Sequence, residues 1–228
     1  PVTSLAGRTR TPGAIAGRVR SGGFGGVAGL RAYLKERRYA AVVDATHPFA
    51  ARISASAAEA CQHTGVPRVA LYRAPWRPGA GDCWHDVANA DEAAARLGAL
   101  VPPPLRVFLA LGQRGLEAFA NPAFAHLAPM SFVLRAVEPP AVPAGLVHRV
   151  VLGKGPFELE AELELLRRHR IEAVVARNSG GPGAYAKLLA ARELRLPVVL
   201  LSRPAPPPRP RVESVAAALD WLRATVAY

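Results

Sequence analysis

Along this chain, short apolar runs rich in β-branched residues alternate with longer segments whose apolar positions recur at helical spacing. The runs "AAVVDA" (40–45), "RVALY" (68–72), "RVFLAL" (106–111), "FVLRAV" (132–137), "EAVVA" (172–176) and "PVVLL" (197–201) predict strands. The N-terminal "PVTSL" predicts one more. Helices fit between most of them, and the alternation predicts an α/β fold with a largely parallel sheet. Residues 156–170 give the most legible helix: Pro156 opens it, glutamates fill its first half, and Arg167, Arg168, His169 and Arg170 close it. Leu159, Leu163 and Leu166 then share one face, ready to cover a sheet. "VPPPL" (101–105) interrupts helix and strand alike after a helical segment at 91–100. It predicts two domains, 1–103 and 104–228. A second proline tract, "RPAPPPRPR" (203–211), reads as a stiff connector to a final amphipathic helix at about 213–226, which is expected to pack back on the first domain.

The chain has 228 residues, 50% of them apolar, which is enough to bury a real core. No stretch reaches the roughly 18–20 uninterrupted apolar residues of a membrane span, and no secretory signal pattern is present. The expected location is therefore the cytoplasm. Cys61 and Cys83 stand apart from each other and from any histidine cluster, so they read as ordinary thiols, and no metal site is expected. The formal charge of +12 comes from 29 Lys and Arg against 17 Asp and Glu, and lysine occurs only at Lys35, Lys154 and Lys187. Either an anionic partner or an arginine-rich coding background accounts for that excess. No basic segment is interleaved with stacking aromatics, which favours a polyanionic small molecule or a nucleotide over RNA.

Polar residues gather where predicted strands end. "VVDATHPFA" (42–50) finishes a buried run on Asp44, Thr46 and His47, at the carboxyl end where open α/β sheets take their ligands. Capping of the following helix by Asp44 and Thr46 is the competing explanation, and it leaves His47 unexplained. "VVARNSGGPGAYAKLL" (174–189) repeats the theme with Arg177, Asn178, Ser179, Gly180, Gly181 and Gly183, and Lys187 lies one turn into the helix. Such a loop suits an anion or a hydroxyl. Ahead of a helix, "SGGFGG" (21–26) supplies Gly22, Gly23, Gly25 and Gly26, whose bare amides can face a phosphate or simply form a loose turn. Ser4 and Arg8 follow the first strand without an acid nearby. Ser and Arg at that point of a nucleotide-binding unit accept a 2′-phosphate, whereas an ordinary basic terminus needs no ligand at all. Trp76 and Trp84 near arginines floor a flat ligand or close a sheet edge. No Ser-His-Asp order and no catalytic carboxylate pair is evident, so chemistry carried by a cofactor is favoured.

In order, "GGFGG", "DATHPFA" with "RIS", "RAPW", "GD" with Trp84, "FLALG", "GPF" and "RNSGG" followed by "AKLLAARELRLPVV" resemble the precorrin-6A reductase family, which includes the cobalt-precorrin-6A reductases of corrin-ring biosynthesis. The resemblance runs from Val2 to about Pro204. It implies two Rossmann-like parallel-sheet domains with a cleft between them. It also implies NADPH as cofactor, an anionic tetrapyrrole as substrate, and hydride transfer followed by protonation of the ring. Ser4 and Arg8 would be the 2′-phosphate contacts, and Gly22, Gly23, Gly25, Gly26, Thr46 and His47 would complete the cofactor site. Arg177, Asn178, Ser179, Gly180, Gly181 and Lys187 would bind substrate, with Asp44 and His47 the catalytic candidates. Members of the family begin with a strand and a "GGT" turn that have no counterpart here, so the first strand of the N-terminal domain is expected to be missing. No nucleic-acid or membrane partner is implied, and a monomer is expected. The alternatives are another NADP-dependent oxidoreductase of a flat anionic substrate, or a non-catalytic nucleotide- or RNA-binding protein.

Overall fold

The computed structural model describes residues 1–7, 13–100 and 102–226. These form two compact units, the first made of residues 1–74 with 204–228 and the second of 75–203. Each is an α/β unit with parallel strands, and each is described by itself.

In the first unit β1 (Val2–Leu5) pairs in parallel with β2 (Arg18–Ser21), which leads through the glycine loop into α1 (Gly26–Arg37). A second sheet holds β3 (Val42–Asp44) and β4 (Arg68–Leu71), with α2 (Ala51–Thr64) between them in sequence. Leu30 and Leu34 of α1 pack with Ala57, Ala60 and Cys61 of α2, giving a core of small and branched side chains that lets the two helices lie close.

The second unit opens with β5 (Cys83–Val87) and α3 (Ala90–Gly98). Asn89 caps α3 by accepting from Glu92 N–H at 2.9 Å, while Glu92 reaches back to Ala88 N–H at 2.8 Å, a reciprocal box that fixes the helix start. There follow β6 (Arg106–Ala110), β7 (Ser131–Ala136), β8 (His148–Leu152), α4 (Leu159–Arg168), β9 (Ala173–Arg177), α5 (Ala186–Glu193) and β10 (Pro197–Leu201). The six strands are all parallel, in the order β5-β10-β9-β6-β7-β8. Val174, Val198 and Leu200 from the central strands, Leu163 and Leu166 from α4 and Leu188 from α5 form its core. Central strands of a parallel sheet are covered on both faces, which is why "PVVLL" and "AVVA" are unbroken apolar runs. The order reverses between β6 and β9, the switch point at whose carboxyl side a doubly wound sheet takes its ligand.

These units are divided differently from the halves marked by the prolines. β5 pairs with β10, so residues 75–103 join the second unit, and Pro102–Pro104 merely connect α3 to β6 within it. After the second proline tract the chain returns: β11 (Arg211–Val212) pairs in parallel with β4, and α6 (Val215–Thr225), capped by Ser214, follows. The three-stranded sheet of the first unit thus gains its edge strand β11 from the returning end of the chain.

Candidate functional site

In the first unit β3 ends on Asp44, 5% exposed, where the sheet opens into a cavity of about 290 Å³. Asp44, Thr46, His47, Ser54 and Tyr72 line it, together with the strap Pro204–Pro208. Asp44 is not a helix cap. The N-cap of α2 is Ala50, without a side-chain bond, and the helix begins at Ala51. Asp44 instead accepts from Thr46 N–H at 3.2 Å and from the Ser54 hydroxyl, and it lies 3.4 Å from the Arg68 guanidinium. Arg68 is as buried as its partner, and its other nitrogen donates to the Pro208 carbonyl at 2.8 Å. One buried ion pair therefore ties the end of β3 to the strap over the cavity. His47 is exposed, and its Nδ1 accepts from Phe49 N–H at 3.2 Å.

The glycine loop of the same unit is held from below by Arg20 on β2. Its guanidinium donates to the Ser4 hydroxyl at 3.1 Å and to the carbonyls of Gly22 and Gly23, both at 2.8 Å, and lies 3.9 Å from the centre of the Phe24 ring. Ser4 and the loop are thus brought together. Gly22, Gly25 and Gly26 have φ of 102°, 76° and 82°, and a Cβ at any of them would meet nothing within 4 Å. Helix α1 starts with no side-chain cap and no acid in its first turn. An open loop, bare amides, an uncapped helix start and a fixed guanidinium fit a phosphate-bearing cofactor. Gly29 serves packing instead, since a Cβ there would lie 1.7 Å from the Phe24 carbonyl oxygen. Arg8 lies outside the described residues. Gly26→Asp places a carboxylate at the helix start in a left-handed conformation, and it is expected to weaken binding of a phosphate-bearing cofactor about tenfold at a cost of about 1–2 kcal/mol in stability, read by fluorescence titration beside denaturant unfolding.

In the second unit the loop after β9 wraps around Trp76. Asn178, buried, accepts from Trp76 N–H at 2.8 Å and donates to its carbonyl at 3.0 Å, and the Trp76 indole N–H donates to the Gly181 carbonyl at 2.8 Å. The Asn178 side chain is therefore engaged in holding Trp76, not turned to solvent. Ser179 bonds the Arg177 carbonyl at 3.3 Å, and Arg177 donates to the Arg114 carbonyl at 2.8 Å. Gly180 and Gly181 take φ of 62° and 70°, which the sharp turn requires. The Tyr185 ring lies 5.6 Å from that of Trp76, and Lys187 Nζ lies 5.4 Å from the Trp76 ring centre.

Lys187 is only 8% exposed. Burial pushes its ammonium down from 10.5 to about 8, with Glu162 opposing the shift and Arg135 adding to it. Its ammonium donates a hydrogen bond to the Ala184 carbonyl. Glu162, 2% exposed, pairs with Arg135 at 2.9 Å, and Arg135 also lies 4.3 Å from the centre of the Phe157 ring. Arg20, Arg68, Arg135, Glu162 and Gly29 are the residues that reading the sequence passed over. Among the described residues no group of three His, Cys, Asp or Glu side chains could hold a metal ion, and Cys61 and Cys83 are free thiols. No described helix is long and apolar enough to cross a membrane.

Parallel α/β units with glycine loops and polar residues at the carboxyl ends of their strands define a nucleotide-binding, Rossmann-like class of protein. Within it, the chain belongs to the family described as "Precorrin-6x reductase CbiJ/CobK", which matches residues 1–223. It is 47% identical over 222 residues to the precorrin-6A reductase of Rhodobacter capsulatus, covering 97% of this chain and 85% of that protein. To the precorrin-6A reductase of Rhodococcus erythropolis it is 43% identical over 222 residues, 97% of this chain and 86% of the relative. A solved structure of "CobK precorrin-6A reductase" superposes with a TM-score of 0.87 at 46% identity, covering 98% of this chain and 86% of the other.

Proposed function

We propose that this chain reduces one carbon–carbon double bond of the precorrin-6A macrocycle in cobalamin biosynthesis, taking a hydride from NADPH. The observation that carries this reading is identity of 47% over 97% of the chain to a precorrin-6A reductase. The metal-free ring is favoured because relatives at 43–47% identity are precorrin-6A reductases by name, whereas cobalt-precorrin-6A reductases match at 26–32%.

NADPH supplies the hydride when bound, and the chain's own residues bind, orient and exclude water. Gly22, Gly23, Gly25 and Gly26 offer amides to the pyrophosphate, and Ser4, Arg8 and Arg20 hold the 2′-phosphate. Thr46 and His47 border the cavity at the end of β3 and orient the nicotinamide end, with Asp44 fixing the turn that presents them. Arg177 and Lys187 meet substrate carboxylates. Asn178, Gly180 and Gly181 act by shaping the loop and seating Trp76, whose flat indole suits a flat ring. Hydride transfer depends on position more than on acid–base side chains, which agrees with a site built chiefly from loops.

The test is reduced-nicotinamide oxidation by the full chain with precorrin-6A and, separately, with its cobalt form. Turnover with the metal-free ring at a rate well above that with the cobalt ring is the expected result, and no oxidation with either sinks the reading. Equal use of NADH would remove the 2′-phosphate roles of Ser4, Arg8 and Arg20 while leaving the reduction intact.

A further inference from the structure

The chain passes between its two units twice, from Ala74 to Pro75 and from Arg203 to Pro204. Within the second unit, one buried residue meets the chain beside both crossings. Just after the first, the side chain of Asn178, 8% exposed, accepts from the Trp76 N–H at 2.8 Å and donates to the Trp76 carbonyl at 3.0 Å. Just before the second, the Asn178 N–H donates to the Leu201 carbonyl at 2.9 Å, and the Asn178 carbonyl accepts from Arg203 Nε at 2.7 Å. The Leu201 bond merely continues the pairing of β9 with β10, whereas the other three reach segments that belong to neither strand. A buried amide that loses a partner is left with a desolvated donor or acceptor, so these bonds are kept together.

Beyond Arg203 the chain becomes the strap Pro204–Pro208 that lines the cavity of the first unit. Four of its five residues are proline, which fixes φ and stiffens the segment. Its far end is held by Arg68, which donates to the Pro208 carbonyl and pairs with Asp44, and Asp44 in turn holds the Thr46 N–H. The strap is thus a short rod with an arginine tie at each end: Arg203 to the loop after β9, Arg68 to the end of β3. Such a rod passes on a displacement that a Gly- or Ser-rich linker would absorb.

We propose that Asn178 is a positioning residue that clamps both crossings to the loop after β9, so that a ligand on that loop alters, through the proline strap, how tightly the cavity of the first unit binds. The identity of the two ligands, ring and dinucleotide, rests on the reductase reading; the clamp does not.

Two measurements on the full chain test this. The first needs no ligand. The chain has three tryptophans, so 15N-labelled tryptophan gives three backbone and three indole N–H signals, and those of Trp76 bond Asn178 and the Gly181 carbonyl. Arg203→Met cuts the bond at the second crossing, yet it is expected to speed exchange at Trp76, beside the first, about tenfold, the worth of one hydrogen bond. The helical amide of Trp221 on α6 is the reference. No change at Trp76, or equal acceleration at Trp221, overturns the clamp. Arg203→Lys, which keeps the charge but not the Nε–H, is expected to show a smaller effect of the same kind and decides the matter if the methionine variant does not fold.

In the second measurement NADP+, which cannot reduce the ring, is titrated with and without saturating precorrin-6A. In the parent the ring is expected to tighten NADP+ about tenfold, and Arg203→Met and Asn178→Asp are expected to bring that ratio to within about twofold of one. Asn178→Asp keeps an acceptor for the Trp76 N–H and loses the donor to its carbonyl. Merely structural damage weakens both titrations and leaves the ratio standing. That result overturns the coupling, as does a parent ratio of one. Failure of the parent to bind precorrin-6A would be a failure of the reductase reading, and the tryptophan exchange still decides the clamp.

Discussion

Arg68→Met is expected to destabilise the first unit by about 3–5 kcal/mol, the usual loss when one partner of a buried ion pair is removed. Asp44 would lose its cationic partner in a site where its side chain is 2% exposed, leaving it the Thr46 N–H and the Ser54 hydroxyl. The same substitution cuts the bond to the Pro208 carbonyl, so the strap over the cavity loses an anchor. Denaturant unfolding of the full chain measures the loss. The double variant Asp44→Asn with Arg68→Met separates the two contributions: recovery of most of the stability assigns the cost to the stranded carboxylate, and no recovery assigns it to the strap. A loss under about 1 kcal/mol would mean that the pair is solvated in practice and that the turn at Thr46 is held by other means.

The pair also marks the limit of what the sequence discloses. Strands β3, β4, β6, β7, β9 and β10 were legible because a parallel sheet covered on both faces leaves continuous apolar runs. β2, β5, β8 and β11 were not. Each pairs with a single neighbouring strand, and "RVRS" and "CWHDV" carry polar side chains at exposed positions, so neither alternation nor an apolar run survives. Missing β5 moved the expected domain boundary, since nothing local says that a strand before "VPPPL" pairs with one more than 100 residues later. Asp44 and the loop at 178–183 stood out as polar clusters at the ends of apolar runs, and the structure gives Asp44 and Asn178 hydrogen-bonded roles there. Their partners were hidden. Arg20, Arg68 and Arg135 are single arginines in a chain with 29 basic residues, and only pairing across the fold distinguishes them. Glu162 did leave a signal, because with Leu159, Leu163 and Leu166 it falls on the apolar face of α4. A carboxylate among leucines on a buried face demands a buried cation.

Lys187→Met is expected to stabilise the protein by about 2–3 kcal/mol at pH 7 while weakening the binding of precorrin-6A. The sign follows from the direction of the shift. The unfolded chain holds the proton up to about 10.5 and the folded chain only to about 8. Below pH 8 both states carry the charge, and the folded one bears the full penalty of burying it, about 3 kcal/mol at 1.36 kcal/mol per pH unit. Between 8 and 10.5 the folded state sheds the proton first and the penalty shrinks; above 10.5 it is gone. The gain from methionine, whose stem fills similar space, should therefore be largest at and below neutral pH and vanish in strong alkali. Chemical denaturation across that range measures it. Destabilisation at pH 7 would mean that Ala184 and Glu162 more than offset the desolvation, and that Lys187 is an ordinary core cation. Stabilisation joined to lost substrate affinity would mean the reverse: the fold tolerates an unfavourable ammonium at the carboxyl side of its sheet because an anionic ring needs one there.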